Sequence, residues 1–302
     1  MPAELIFDGI LILLLLMLAG GALHVRSLYN AIVLFIVFGL LLALTWARLG
    51  AVDLALAEAA IGAGLIGVML LAALARSDAE PGPRSGRAAI IVSLGLGGLL
   101  VAMLTRAVWP LAQNTAALPD MVEIQLAASG VSHPVTAVLL NFRGWDTLLE
   151  LVVLLLALLG VRQLGRTTMQ LPTAWPILRA WSRLLAPLTI MIGGYLLWRG
   201  SVAPGGAFQA GAVLAAGAVM LNLAGLLPNI RWDSGLTRSL ILGGIAVFAL
   251  VAVGTHWFGA GWLDYPLNWS KPLIVLIEIA ATLSIAVSLT VLVIGENEQP
   301  SP

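Results

Sequence analysis

Apolar runs of about 18–22 residues recur along this chain from one end to the other, separated by short polar stretches. Nine can be read, at about 4–23, 29–47, 51–75, 88–107, 144–163, 184–199, 206–226, 237–255 and 272–294. Each suits a helix crossing the ~30 Å hydrocarbon core of a bilayer. The residue-by-residue alternation of a membrane barrel is missing. The expected fold is therefore all-α, a polytopic transmembrane helical bundle of about nine spans. Composition agrees: 60% of the 302 residues are hydrophobic and 10% are charged, against about 25% charged in soluble domains.

Several function classes drop out. Formal net charge is zero and no basic block is long enough to follow a phosphate backbone, so no nucleic-acid partner is expected. The chain has no cysteine, which removes iron–sulfur ligation, covalent haem attachment and disulfides. His24, His133 and His256 are far apart, and none has a second ligand at helical spacing. No cofactor and no metal site are expected. The opening "MPAELIFDGI" carries Glu4 and Asp8 where a signal peptide would carry positive charge, so 5–23 reads as a retained first span.

Polar breaks divide the spans into modules. "RSDAEPGPRSGR" at 76–87 reads as a flexible linker, and a second break at 162–183 contains Pro172 and Pro176. The mixed loop at 108–134 has room for a short surface helix. Three modules follow: three spans in 1–76, two in 88–165 and four in 172–295. With alternating spans, one side collects Arg26, Arg76, Arg84, Arg87, Arg162, Arg166, Arg179, Arg183, Arg231 and Arg238. The other receives Arg48, Arg106, Arg143, Arg199 and Lys271. Ten against five puts the first set in the cytoplasm, with the N-terminus outside the cell membrane and the C-terminus inside.

Ionisable groups inside a span are expensive and mark function by default. Glu58 lies in "VDLALAEAAIGAGLIGVML", Glu150 in "GWDTLLELVVLLL" and Glu278 in "KPLIVLIEIAATLSIAV". On the alternating topology all three spans begin on the outer side. Each glutamate follows roughly six to eight residues later, about 10 Å deep at ~1.5 Å per residue. Three separate segments thus place a carboxylate in one layer, as a lateral or half-channel proton path would need.

The neighbours of these glutamates admit plainer roles. Arg143, Asp146 and Glu150 share a helix face at i,i+3 and i,i+4 spacing. A cap and an interfacial anchor would also account for Asp146 and Arg143, but not for Glu150 among its leucines. Glu58 is surrounded by Ala55, Ala59, Gly62, Ala63 and Gly67, a surface suited to close helix packing. Asp53 suits an N-cap. Lys271 suits a snorkelling boundary residue. His133, just before Pro134, is either incidental or a proton relay near neutral pH.

"WRGSVAPGGAFQAG" at 198–211 is glycine-rich but lacks the Lys-Ser/Thr of a phosphate loop. It reads as a tight reversal between the sixth and seventh spans, with Pro204 and Gly205 setting the turn. Gln209 and Asn222 can hydrogen-bond across helices. Trp46, Trp109, Trp145, Trp198, Trp257 and Trp269 fall near span ends and report depth.

Three of these segments carry a resemblance. "GSVAPGGAFQAGAVLAAGAVM" and its four-span module resemble the MnhB/MrpB family of Mrp-type multisubunit sodium/proton antiporters. "VTAVLLNFRGWDTLLE" resembles a two-span module of membrane-bound hydrogenase complexes and of the C-terminal part of the large Mrp subunit. "VDLALAEAAIGAGL" resembles the three-span module that precedes it, in its hydrogenase-type version. The family patterns match at Asp53, Glu58, Phe142, Arg143, Asp146, Thr147, Glu150, Pro204, Gly205, Gly206, Phe208 and Glu278. Asn141 stands where an aspartate is common, Ser201 where a histidine is common, and Ala207 where a glycine is common.

The resemblance implies a transport subunit rather than an enzyme, working among other membrane subunits of an antiporter or hydrogenase-like complex. Its glutamates would carry H⁺ or Na⁺. The lysine-bearing broken helices expected of the principal antiporter subunits are missing, since the single lysine, Lys271, is interfacial. A supporting ion-path subunit is the leading expectation. The competing one is a scaffold whose charges pair at subunit interfaces. A membrane enzyme is the third, with no nucleophile–base pair to support it.

Overall fold

A computed structural model describes residues 2–75, 86–114, 117–163, 174–228, 230, 232, 234–258 and 261–295. The expected linker at 76–87 lies mostly outside the described residues, and so does the first half of the break at 162–183. Every regular element among the described residues is helical. In chain order these are α1 (Pro2–His24), α2 (Leu28–Arg48), α3 (Val52–Ala57), a π-helical stretch (Glu58–Leu65), α4 (Ile66–Ala75), α5 (Arg87–Asn114) and α6 (Ala117–Ser129). They continue as α7 (Pro134–Ala137), a π-helical turn (Val138–Phe142), α8 (Gly144–Gln163), α9 (Pro176–Arg199), α10 (Ala207–Leu223), α11 (Gly235–Phe258) and α12 (Ser270–Ile294).

Among the described residues, eight segments are long and apolar enough to cross a membrane, and the shorter apolar α10 makes a ninth candidate. The protein is a multi-pass membrane protein. The sixth span begins at Pro176, eight residues before the expected 184: Pro176 takes the first helical turn, where its missing N–H costs nothing, and α9 also accommodates Pro187. The short helix anticipated in the 108–134 loop is α6.

The helices form two packed groups. In the N-terminal group, α2 packs against α1, α3, α4 and the first π-helical stretch. In the C-terminal group, α10 lies between α9 and α12, while α11 and α8 flank α12. Contacts of α10 with the π-helical stretch, and of α12 with α4, join the groups. Helix α12 is the central member: 13 of its 25 residues are buried, against 7 of 17 in α10 and 7 of 24 in α11. Its inward face presents Ile274, Ile277, Ala281 and Ile285 to Phe248, Ala212 and Ala215.

Small residues set these approaches, since without a hydrophobic drive between helices the backbones must come close to gain dispersion contact. A Cβ at Gly211 of α10 would stand 2.7 Å from Ile285 Cγ2, and one at Gly244 of α11 would stand 2.7 Å from Ser284 Cβ. Hydroxyls on α12 are satisfied by carbonyls: Ser284 donates to Ile241 O at 2.5 Å and Thr282 to Glu278 O at 2.7 Å. In contrast, no residue of the α5 span is buried.

Candidate functional site

The turn between α9 and α10, "GSVAPGG" at 200–206, organises one end of the bundle. The N–H groups of Gly200 and Gly206 both donate to Leu196 O, at 3.1 and 3.0 Å, which folds the turn back onto the end of α9. Gly205 and Gly206 have φ of 153° and 111°, a backbone region open to glycine. A Cβ at Gly205 would meet Leu196 O at 2.5 Å.

Three other parts of the chain reach this turn. Asp53, in the first turn of α3, accepts the Gly205 N–H through Oδ1 at 3.1 Å and pairs with His133 Nε2 through Oδ2 at 2.9 Å. Gln209 Nε2 donates to the Asp53 carbonyl at 3.3 Å. The segment leading into α7 adds more: the N–H groups of Ser132 and His133 donate to Ser201 O at 3.1 and 3.2 Å. Thr136 Oγ1 donates to Gly200 O at 2.5 Å. From α12, Glu278 lays its carboxyl against the turn, where a Cβ on Gly200 would stand 2.9 Å from Oε1 and one on Gly206 3.4 Å.

Glu278 is 2% exposed. Among the described residues no hydrogen bond or ion pair reaches its carboxyl, while its backbone carbonyl accepts the Thr282 hydroxyl. A carboxyl deep in low dielectric without a partner is costly when charged. A cavity of about 360 Å³ between α9, the turn and α12 is lined by Trp198, Ser201, Lys271, Val275 and Ile279, and not by Glu278.

One expectation is corrected here and another extended. Asp53 is not an N-cap: Ala51 holds that position without a side-chain bond, and Asp53 lies two residues beyond it, inside the helix, with its carboxylate turned to His133 and Gly205. The 198–211 stretch is a reversal, as expected, but it is also the seat of Glu278 and the acceptor platform for the segment leading into α7. The signal missed was the glycine spacing: Gly200 and Gly206 are the two positions where the carboxyl needs room.

Glu58 opens the first π-helical stretch. Its side chain folds over Gly62, filling the space a Cβ there would take. The small face does pack closely: a Cβ at Gly39 of α2 would meet Ala63 Cβ at 3.0 Å. Single π-helical turns within α-helices recur at functional sites, and this one begins on an intramembrane glutamate.

Arg143 lies in the break between the second π-helical turn and α8, with φ of −129°. Its Nη2 pairs with Asp146 Oδ2 at 2.6 Å, and the side chains are 70% and 45% exposed. Glu150, one turn deeper, is exposed on the outer surface of α8. The start of α8 is held by Thr147 Oγ1 donating to Leu139 O at 2.6 Å and by Asn141 Nδ2 donating to Ser129 O at 3.1 Å. Tyr265, in the loop before α12, donates to Leu140 O at 2.9 Å; burial pushes its hydroxyl above the usual tyrosine range and keeps it a donor. Ser270 Oγ donates to Ser129 O at 2.5 Å.

These bonds bring the beginnings of α3, α7, α10 and α12 to one end of the bundle. Glu58, Glu150 and Glu278 follow on helices that leave that end, with no hydrogen bond between them among the described residues. Gln209 makes the cross-helix bond expected of it, whereas Asn222 is buried with Oδ1 unpartnered among the described residues. No group of three or more histidine, aspartate or glutamate side chains among the described residues could hold a metal ion.

The fold and site define a multi-pass membrane protein, helical throughout its described residues, in which a glutamate of the central helix lies against a glycine turn. Residues 177–296 match the family model described as a domain related to the MnhB subunit of the Na⁺/H⁺ antiporter, and residues 13–79 match the model of MbhD, a subunit of MBH. One chain thus carries, in order, a segment similar to MbhD and a domain similar to the MnhB-related family. Its fold is similar to a chain in the structure of the Mrp complex from Dietzia sp. DQ12-45-1b, with TM-score 0.77 and 23% identity over 97% of this chain. It spans about a third of that chain's length, 35%. A chain of the membrane-bound sulfane sulfur reductase (MBS), an archaeal respiratory membrane complex, is 25% identical with TM-score 0.47, covering 68% of this chain and 100% of that one. No curated protein matches the chain in sequence.

Proposed function

We propose that this protein is a supporting membrane subunit of a multisubunit cation/proton antiporter of the Mrp type, or of a related hydrogenase-like complex, and that its intramembrane glutamates form part of the ion path. Glu278 carries the reading. It is an ionisable group enclosed within the central helix, touching a glycine turn and lacking a charge partner among the described residues. Structural charges in membranes are normally paired, and an unpaired one belongs to transport. Glu58 and Glu150 stand on helices leaving the same end, so protons, or Na⁺, would pass laterally between the mouth near Asp53 and His133 and the partner subunits. Glu150, exposed on α8, is the carboxyl that faces those partners. Arg143 and Asp146 mark the boundary above it. The orientation that goes with this reading puts that mouth outside the cell membrane and the C-terminus in the cytoplasm.

A scaffold role is the second reading, and the Asp53–His133 pair favours it, because that pair is satisfied within the chain and ties its segments together. Replacing Glu58, Glu150 and Glu278 together with glutamine in the assembled complex separates the two. The ion-path reading expects cation/proton exchange to collapse with assembly intact. Unchanged exchange would leave the scaffold.

A further inference from the structure

We infer that Asp53 and His133 act as a clamp that sets how the 200–206 turn seats on Glu278, so that a residue of the MbhD-type segment governs a carboxyl of the MnhB-related domain. This rests on Glu278 being the ion-path carboxyl and adds how that site is regulated.

The turn touches Glu278 at two glycines, and each is held from elsewhere. Gly206 follows Gly205, whose N–H is fixed by Asp53 Oδ1 at 3.1 Å. Gly200 is fixed through its own carbonyl by Thr136 at 2.5 Å, and through the next carbonyl, Ser201 O, by the N–H groups of Ser132 and His133. Glu278 itself contributes no hydrogen bond to the turn among the described residues. The wall facing the carboxyl is therefore positioned by Asp53 and the 132–136 segment, on a turn that Leu196 O folds back, rather than by the carboxyl.

His133 joins the two holds. Its ring pairs with Asp53 at 2.9 Å while its own N–H donates to Ser201 O at 3.2 Å. Both side chains of the pair are largely buried, 12% and 14% exposed. Opening the pair removes the support of the Asp53 carboxylate and so loosens the hold on Gly205 beside the enclosure of Glu278, while the Gly200 and Gly206 N–H groups stay on Leu196 O. Asp53 and His133 are thus positioning residues, distinct from the carboxyls that would carry the ion.

The test uses the assembled complex in proteoliposomes and reads the infrared carboxyl band of Glu278, assigned by its loss in Glu278→Gln and titrated with pH. Asp53→Ala and His133→Ala should each move the titration midpoint by about half a pH unit or more. Asp53→Asn should stay near wild type, because its amide oxygen still accepts the Gly205 N–H. An unmoved midpoint in the alanine variants would overturn the clamp. So would an Asp53→Asn midpoint displaced as far as that of Asp53→Ala, since charge would then matter and not the hold. If Asp53→Ala fails to assemble, His133→Ala and Asp53→Asn decide by the same criteria. Normal exchange in Glu278→Gln with a displaced Asp53→Ala midpoint would sink the ion-path reading and keep the clamp; lost exchange with an unmoved midpoint would do the reverse.

Discussion

The N–H of Gly205 donates to Oδ1 of Asp53 at 3.1 Å, joining positions 152 residues apart and linking the two family-matched parts of the chain. Around that bond the protein gathers a histidine, a glycine turn and a buried glutamate. Most of what can be tested concerns how tightly this end of the bundle is built.

Gly200→Ala places a Cβ 2.7 Å from Gly206 Cα and 2.9 Å from Glu278 Oε1. Backbone lies on one side and a confined carboxyl on the other, so the turn must shift. Thermal unfolding of the purified chain in detergent should show a loss of about 1–3 kcal/mol, the usual scale of overpacking. Gly254→Ala, with nothing within 4 Å of its Cβ, serves as the control and should be neutral or slightly stabilising.

Gly211→Ala tests the α10–α12 contact. Its Cβ would meet Ile285 Cγ2 at 2.7 Å and the backbone Thr282 O at 3.2 Å. The β-branched Ile285 is itself fully buried and cannot swing clear. A destabilisation of about 1–3 kcal/mol is expected by the same unfolding measurement.

Arg143 and Glu150 should separate cleanly. The Arg143–Asp146 pair is exposed, and such pairs contribute less than about 1 kcal/mol. Arg143→Ala should therefore leave unfolding nearly unchanged. Glu150→Gln should lower cation/proton exchange in the assembled complex while blue-native gels show normal assembly.

Tyr265→Phe removes the donor to Leu140 O and should cost about 1 kcal/mol. The hydroxyl is shifted upward by burial in the folded state, so its contribution is complete below the ordinary tyrosine value near 10 and falls as pH rises above it. Unfolding measured from about pH 8 to 11 should show wild type losing stability at the alkaline end, and Tyr265→Phe losing less.

The helices were legible because bilayer length and apolar composition leave little choice, and the three glutamates were legible because charge inside hydrocarbon stands out. The π-helical stretches at Glu58–Leu65 and Val138–Phe142 were not, since one extra residue per turn leaves no mark on an apolar pattern. Asp53 shows the deeper difficulty. Its position near a helix start suggests a local cap, yet its carboxylate is used by His133, 80 residues away, and by Gly205. Likewise the "GSVAPGG" turn explains itself locally, while its contact with Glu278 is created only by packing α12 against α10. Pairings between distant segments carry no local signature.

The most direct measurement is Na⁺- or K⁺-driven proton exchange in proteoliposomes holding the complete complex with Glu278→Gln. The ion-path account predicts that exchange falls close to background although the complex assembles in normal yield, and that Glu278→Asp recovers part of it. Wild-type exchange rates in a fully assembled Glu278→Gln complex would contradict it.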